Sequence, residues 1–144
     1  VIPEKVELEG TLRAMNEQWR EATHERIEKL AKGLCQSMGG DCEVEIRKGY
    51  PSLKNDEALT HKAKERAQTY LGAENVVDLD LRMTAEDFAY FTQATSACFY
   101  RLGTANEAKG ITGKLHTPTF DIDEGALAIG AGLMAWLAFA EISD

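Results

Sequence analysis

Cysteine, basic clusters and long apolar runs are all scarce in this chain of 144 residues, and each scarcity removes a class of protein. The three cysteines, Cys35, Cys42 and Cys98, are odd in number and lack paired spacing. That argues against a secreted disulfide framework and favours a reducing, cytoplasmic setting. The absence of Cys-x-x-Cys removes a redox or zinc-ribbon motif. No run of Lys or Arg occurs, and 16 basic against 24 acidic side chains give a net charge of −8. That sign repels a polyanion, so nucleic acid is not an expected partner. The opening VIPEKVELEG carries charges of both signs and no apolar h-region, so it does not read as a signal peptide. The uncharged stretch Ala126 to Ala140 has 15 residues, flanked by Asp and Glu. A bilayer span needs ~20, so no membrane partner is expected.

What remains is a globular composition, 44% hydrophobic and 28% charged, with no internal repeat and no low-complexity segment. The length allows one ordinary domain or pieces of two small ones. Val6, Leu8 and Leu12 alternate with polar residues, which predicts a strand with one wet face. Asn16 fits an N-cap, and Trp19, Ala22, Arg26, Ile27, Leu30, Ala31, Leu34 and Met38 recur at helical spacing up to the stop Gly39-Gly40. Cys42, Val44 and Ile46 alternate with Glu43, Glu45 and Arg47, predicting a second strand that ends at Gly49-Tyr50-Pro51. Residues 1 to about 50 thus read as a strand, helix and strand unit.

Asn55-Asp56 opens a second helix with the stripe Leu59, Ala63, Ala67 and Tyr70 and a stop at Gly72. A short strand at Val76-Val77 follows. Thr84 and Asp87 fit a capping box for a helix carrying Phe88 and Phe91. Residues 98–102 predict a strand ending at Gly103-Thr104, a loop runs to about residue 122, and Asp123 caps the last helix. That helix reads as buried against a sheet, its small Gly130, Ala131 and Gly132 permitting close approach. The expected class is α/β: an α+β first unit, then helices packed on a mixed sheet.

Three histidines could carry chemistry. His24 with Glu28 and His61 with Glu65 each form an i, i+4 pair that could face a metal, but such pairs on exposed helix faces are usually just solvated. His116 sits in LHTPTFDID, between a strand and a capped helix, where α/β enzymes place functional groups on loops held by a rigid scaffold. On composition alone, a surface loop histidine is the simpler reading.

The run LHTPTFDIDEGALAIGAGLMAWLA resembles the C-terminal signature of the aminoacylase/carboxypeptidase-type metallopeptidases, in the branch of N-acyl-amino-acid amidohydrolases and hippurate hydrolases. VIPEKVELEGTLRAMNEQWRE is similar to that family's lid, GYPSLKND to its return into the catalytic domain, and MTAEDFAYF with CFYRLGT to its paired helix and strand beside the active site. The resemblance implies that His116 is a ligand of a two-metal centre holding zinc, manganese, cobalt or nickel. It also places Glu86, Gly103 and Thr104 near the substrate pocket. Thr84 and Ala85 depart from the glycines usual there, which removes the reason for a close backbone approach at that point. Asp87 reads as a capping residue, and Asp121 and Asp123 as groups that hold the His116 loop and cap the next helix.

The resemblance further implies a division into residues 1–50, the C-terminal half of a lid that mediates homodimer formation, and residues 51–144, the C-terminal segment of the catalytic domain. The general-base glutamate and the other metal ligands belong to family segments that precede the lid, and the lid histidine that steadies the tetrahedral intermediate belongs to the earlier half of the lid. No residue here is therefore assigned as catalytic, and the chain alone is expected to be inactive and metal-free. The implied parent hydrolyses N-acyl amino acids or small peptide amides. A non-catalytic fragment acting as a dimerisation or interaction module is the alternative.

Overall fold

The computed structural model describes residues 3–143. Four α-helices are set among irregular segments: α1 (Glu17–Ser37), α2 (Glu57–Leu71), α3 (Ala89–Ala94) and α4 (Gly125–Ile142), with short 3-10 turns at Ala73–Asn75 and Glu107–Lys109. The chain divides into two compact units. One comprises the residues up to Lys54 with Leu81–Gln93, the other Asn55–Asp80 with the residues from Ala94 onward.

The expected α/β class is overturned. Among the described residues there is no strand and no sheet, only one isolated antiparallel bridge between Asn106 and Ile111. Alternation of apolar and polar residues says which face of a strand would be wet, but a strand exists only when its backbone groups pair with a neighbour. In the predicted segment 6–12, Val6 is 70% and Leu8 95% exposed. Residues 42–47 keep the alternation in their burial, with Cys42, Val44 and Ile46 half-buried and Glu43, Glu45 and Arg47 exposed, yet form no ladder. At residues 97–99 a side chain takes the place of a neighbouring strand. Asn55 accepts the Phe99 N–H (2.8 Å) and donates to the Phe99 carbonyl (2.9 Å), while the Asp56 N–H bonds to the Ala97 carbonyl (2.9 Å).

In the first unit, the Asn16 side chain accepts the Trp19 N–H at 2.8 Å and opens α1 as its spacing predicts. The helix ends before Gly39, whose φ of 75° turns the chain, and the Gly40 N–H closes on the Cys35 carbonyl at 2.9 Å. The predicted stripe of α1 is turned outward, however, with Trp19, Ile27, Leu30, Leu34 and Met38 all exposed. The half-buried side chains are Glu17, Arg20, Thr23, His24, Ala31 and Cys35. Two of these and the exposed Glu21 bind residues 48–52 through polar bonds: Arg20 donates to the Tyr50 carbonyl (2.8 Å), Lys48 pairs with Glu21 (2.6 Å) and Glu17 accepts the Ser52 N–H (2.7 Å). Helix α3 is shorter than predicted and starts at Ala89, after a turn in which Glu86 accepts the Phe88 N–H. Ala89 is fully buried, and Tyr50 meets Tyr90 edge-on.

The second unit is built on α2 and α4. Asp56 caps α2 by accepting the Leu59 N–H (2.9 Å), and Gly72, with φ of 91°, ends it, both as predicted. One face of α4 packs: Ala126 and Leu133 are buried, Tyr70 stacks on Trp136, and the Trp136 indole donates to the Arg66 carbonyl (3.0 Å). Arg66 also pairs with Glu141. Among the described residues no sheet covers the helix, and Leu127, Met134 and Phe139 stay more than half exposed, although the Tyr100 hydroxyl donates to the Met134 sulfur (3.8 Å) and Leu102 lies against Gly130. The expectation of a buried helix on a sheet is corrected accordingly. At 18 residues α4 is long and apolar enough to cross a membrane by length and composition. The whole buried core of the described residues is Ala67, Ala89, Ala97, Ala126 and Leu133.

Candidate functional site

His116 lies at the tip of the loop that joins residues 98–102 to α4. Its neck is tied where the Asp123 N–H bonds to the Thr104 carbonyl at 2.8 Å. Above the neck, Asn106 exchanges both backbone bonds with Ile111, each 2.9 Å, and caps the turn Glu107–Lys109, which Gly110 ends in the left-handed conformation. Asp123 locks this subloop to the helix. Its carboxylate takes bonds from the Lys109 ammonium (2.6 Å), the Asn106 amide (2.5 Å) and the Gly125 N–H (3.1 Å). In that order those groups hold its pKa down at about 2. Asp123 thus fastens the loop and holds the first N–H of α4 from one residue before the N-cap Glu124, whose own side chain makes no cap bond, while Asp121 accepts the N–H of Ile122 (2.8 Å).

The tip closes on itself. A Cβ at Gly113 would stand 2.0 Å from the Thr119 carbonyl oxygen, so only glycine permits this approach of the two backbone strands of the loop. Within it the Thr117 N–H bonds back to the Lys114 carbonyl (3.3 Å), as does the Thr117 hydroxyl (2.7 Å). His116 occupies the third position of this four-residue turn with φ of 63°. It is the one non-glycine residue among those described with positive φ. Turns with positive φ at that position usually take glycine or asparagine, and non-glycine residues held there cluster at functional sites. The imidazole is exposed.

Gly103 and Thr104 stand at the neck of the same loop, Thr104 half-buried and bonded through its carbonyl. Glu86 belongs to the other compact unit, half-buried at the turn before α3. The two helical histidine pairs differ in outcome. His61 lies 3.6 Å from Glu65 on an exposed face, whereas Glu28 turns to Lys32 (2.6 Å) and leaves the His24 Nδ1 buried without a hydrogen-bond partner. Sequence reasoning missed Gly113, Asn106 and Lys109. The signal for the last two was present, an Asn cap and a Gly stop bracketing a three-residue helix.

A divalent metal needs three or more protein ligands. Among the described residues no group of three His, Cys, Asp or Glu side chains is placed to hold one. His116 presents one imidazole, and the residues present do not by themselves fit a metal pair.

The motifs around this exposed histidine, LHTPTFDID with MTAEDFAYF and CFYRLGT, are those that resemble the metallopeptidase signature. The chain belongs to peptidase family M20/M25/M40, whose family model matches residues 2–140. The resemblance read from the motifs is thereby borne out. Among its relatives, the Bacillus subtilis protein YhaA is 33% identical over 138 residues, covering 96% of this chain and 35% of that protein. Thermostable carboxypeptidase 1 of Saccharolobus solfataricus is 30% identical over 139 residues, covering 96% and 35%. N-acetylcysteine deacetylase of Bacillus subtilis is 31% identical over 138 residues, covering 96% and 34%. The chain thus spans about a third of the length of the curated relatives it matches. No solved structure matches it.

Proposed function

We propose that this chain is the C-terminal part of a metal-dependent amidohydrolase acting on N-acyl amino acids or small peptide amides. In that reading His116 is one ligand contributed to a divalent pair of zinc, manganese, cobalt or nickel, whose remaining ligands come from parent segments preceding residue 1. Glu86, Gly103 and Thr104 border the substrate. Residues 1–50 belong to the lid through which the parent dimerises, residues 51–144 to its catalytic domain, and the parent works in the cytoplasm. The observation that carries the reading is the held, exposed His116 at a positive φ, within a chain that matches its family almost end to end. Relatives named carboxypeptidase and deacetylase support an amide substrate.

The isolated chain is expected to be inactive and to bind zinc or manganese only weakly. Metal analysis after dialysis, with an amidase assay on N-acetyl amino acids, checks this. Stoichiometric tight metal together with turnover would overturn the incompleteness of the site. In the parent protein His116→Ala is expected to cost at least 100-fold in metal affinity or activity. A parent gene without an upstream His-x-Asp or Cys-x-His pair would remove the enzyme reading altogether.

The outward stripe Trp19, Ile27, Leu30 and Leu34 favours a second reading, a non-catalytic interaction module. Light scattering separates the two, since a strictly monomeric chain at high concentration counts against the module.

A further inference from the structure

We propose that Asn106 is a positioning residue for His116, tying together the two arms of the loop that carries it; this rests on the reading of His116 as a site residue. The arms are residues 111–113, which lead into the tip, and residues 119–123, which lead out of it to α4. Asn106 bonds both. Its backbone N–H and carbonyl exchange bonds with Ile111, each 2.9 Å, and its side-chain amide donates to the Asp123 carboxylate at 2.5 Å. The amide oxygen accepts the Lys109 N–H (3.3 Å), and the Lys109 ammonium reaches the same carboxylate (2.6 Å).

The amide has one workable orientation here. Turned over, its oxygen would face a carboxylate and its NH2 an N–H, two repulsions in place of two bonds. Asn106 and Asp123 are both half-buried, which strengthens the bond between them against competing water. The contacts of the tip itself, the turn from Lys114 to Thr117 and the approach of Gly113 to Thr119, shape it from within. Asn106, with the bond from the Asp123 N–H to the Thr104 carbonyl, sets where that shaped tip stands.

The test is amide exchange and NMR on the purified chain as Asn106→Ala, as Asn106→Asp, and as Asn106→Asp combined with Asp123→Asn. In Asn106→Ala the Thr117 and Phe120 amides, which close the tip, are expected to exchange at least about tenfold faster, as the loss of a hydrogen bond to a charged group implies. The strong amide-to-Hα cross-peak that a positive φ gives His116 should weaken with them. The Leu59 and Thr60 amides of α2 should not change. Asn106→Asp removes the donor and should behave like alanine. The double variant puts one amide and one carboxylate back in exchanged places and should recover the protection of the tip. In a parent that hydrolyses amides, Asn106→Ala should lower kcat by roughly 100-fold, as misplacing a site group does, and the exchanged pair should restore it. Unchanged exchange at the tip, acceleration spread equally to α2, or an exchanged pair that recovers nothing would each overturn the proposal. A parent without amidase turnover would instead overturn the reading of His116 on which it rests, and the exchange data on the isolated chain keep the two failures apart.

Discussion

A histidine in the left-handed region carries a cost that glycine does not, and His116 is held there by the turn from Lys114 to Thr117. Removing its Cβ relieves about 1 kcal/mol of backbone cost, while the freer unfolded chain of a glycine variant takes back a similar amount. His116→Gly is therefore expected to leave the urea midpoint nearly unchanged, within about 0.5 kcal/mol, while His116→Val, β-branched at the same φ, loses about 1–2 kcal/mol. Equal behaviour of the two variants would show that backbone geometry does not constrain the residue. Asp123 gives a second prediction at this scale. Its folded pKa of about 2 lies below the usual 3.8, so the unfolded chain binds more protons in the window between. Its contribution is complete above about pH 4 and is lost as pH falls through about 2. Hydrogen exchange of residues 104–124 should accelerate across that window in the wild type, and Asp123→Asn should flatten the dependence. The motif made His116 legible in the sequence, but the turn holding it was not, because the approach of Gly113 to Thr119 is a contact between backbones that no residue type announces.

Helix ends were legible because they are local. Asn16, Asp56 and Asp123 each place an acceptor within reach of free N–H groups a few residues on, and Gly39 and Gly72 supply the positive φ that ends a helix. Thr84 and Asp87 fit the same pattern, yet α3 starts only at Ala89, since Glu86 serves the preceding turn. Strands were not legible, since the alternation at residues 6–12 and 42–47 specifies a facing direction and leaves the pairing partner unspecified. The stripe of α1 failed for a related reason. Periodicity defines an apolar face, but what covers it depends on neighbours, and here polar bonds from Arg20, Glu21 and Glu17 bring residues 48–52 to a different face. With so little apolar burial behind it, α1 depends on its cap. Asn16→Ala is expected to destabilise the helix by about 1 kcal/mol, read as lost ellipticity and faster amide exchange in residues 17–20. An unchanged exchange rate there would mean that the Trp19 N–H finds another acceptor.

At the scale of the whole molecule, the described residues expose many large apolar side chains and bury mostly small ones. Among the described residues four of the five that form the buried core are alanines, leaving Leu133 as the only large one, while Leu8, Met38, Leu81 and Ile142 are each at least 80% exposed. Hydrophobic stabilisation scales with apolar area removed from water, at about 25 cal/mol per Å², so a core of this kind gives a weakly cooperative fold. The slope of unfolding free energy against denaturant also scales with the area exposed on unfolding. The isolated chain is therefore expected to unfold over a broad urea range, with a slope below about 1 kcal/mol/M, and to bind a hydrophobic dye before any denaturant is added. Leu133→Ala, normally costing about 2–5 kcal/mol, should abolish what transition there is, with Trp136 on the same helix face as the fluorescent reporter. If the exposed faces of α1 and α4 are those that the rest of a longer parent covers, the same residues in that parent should unfold sharply and bind no dye. A sharp two-state transition in the isolated chain would show that its own contacts suffice, and would leave the open apolar faces to a partner rather than to missing parts of the same enzyme.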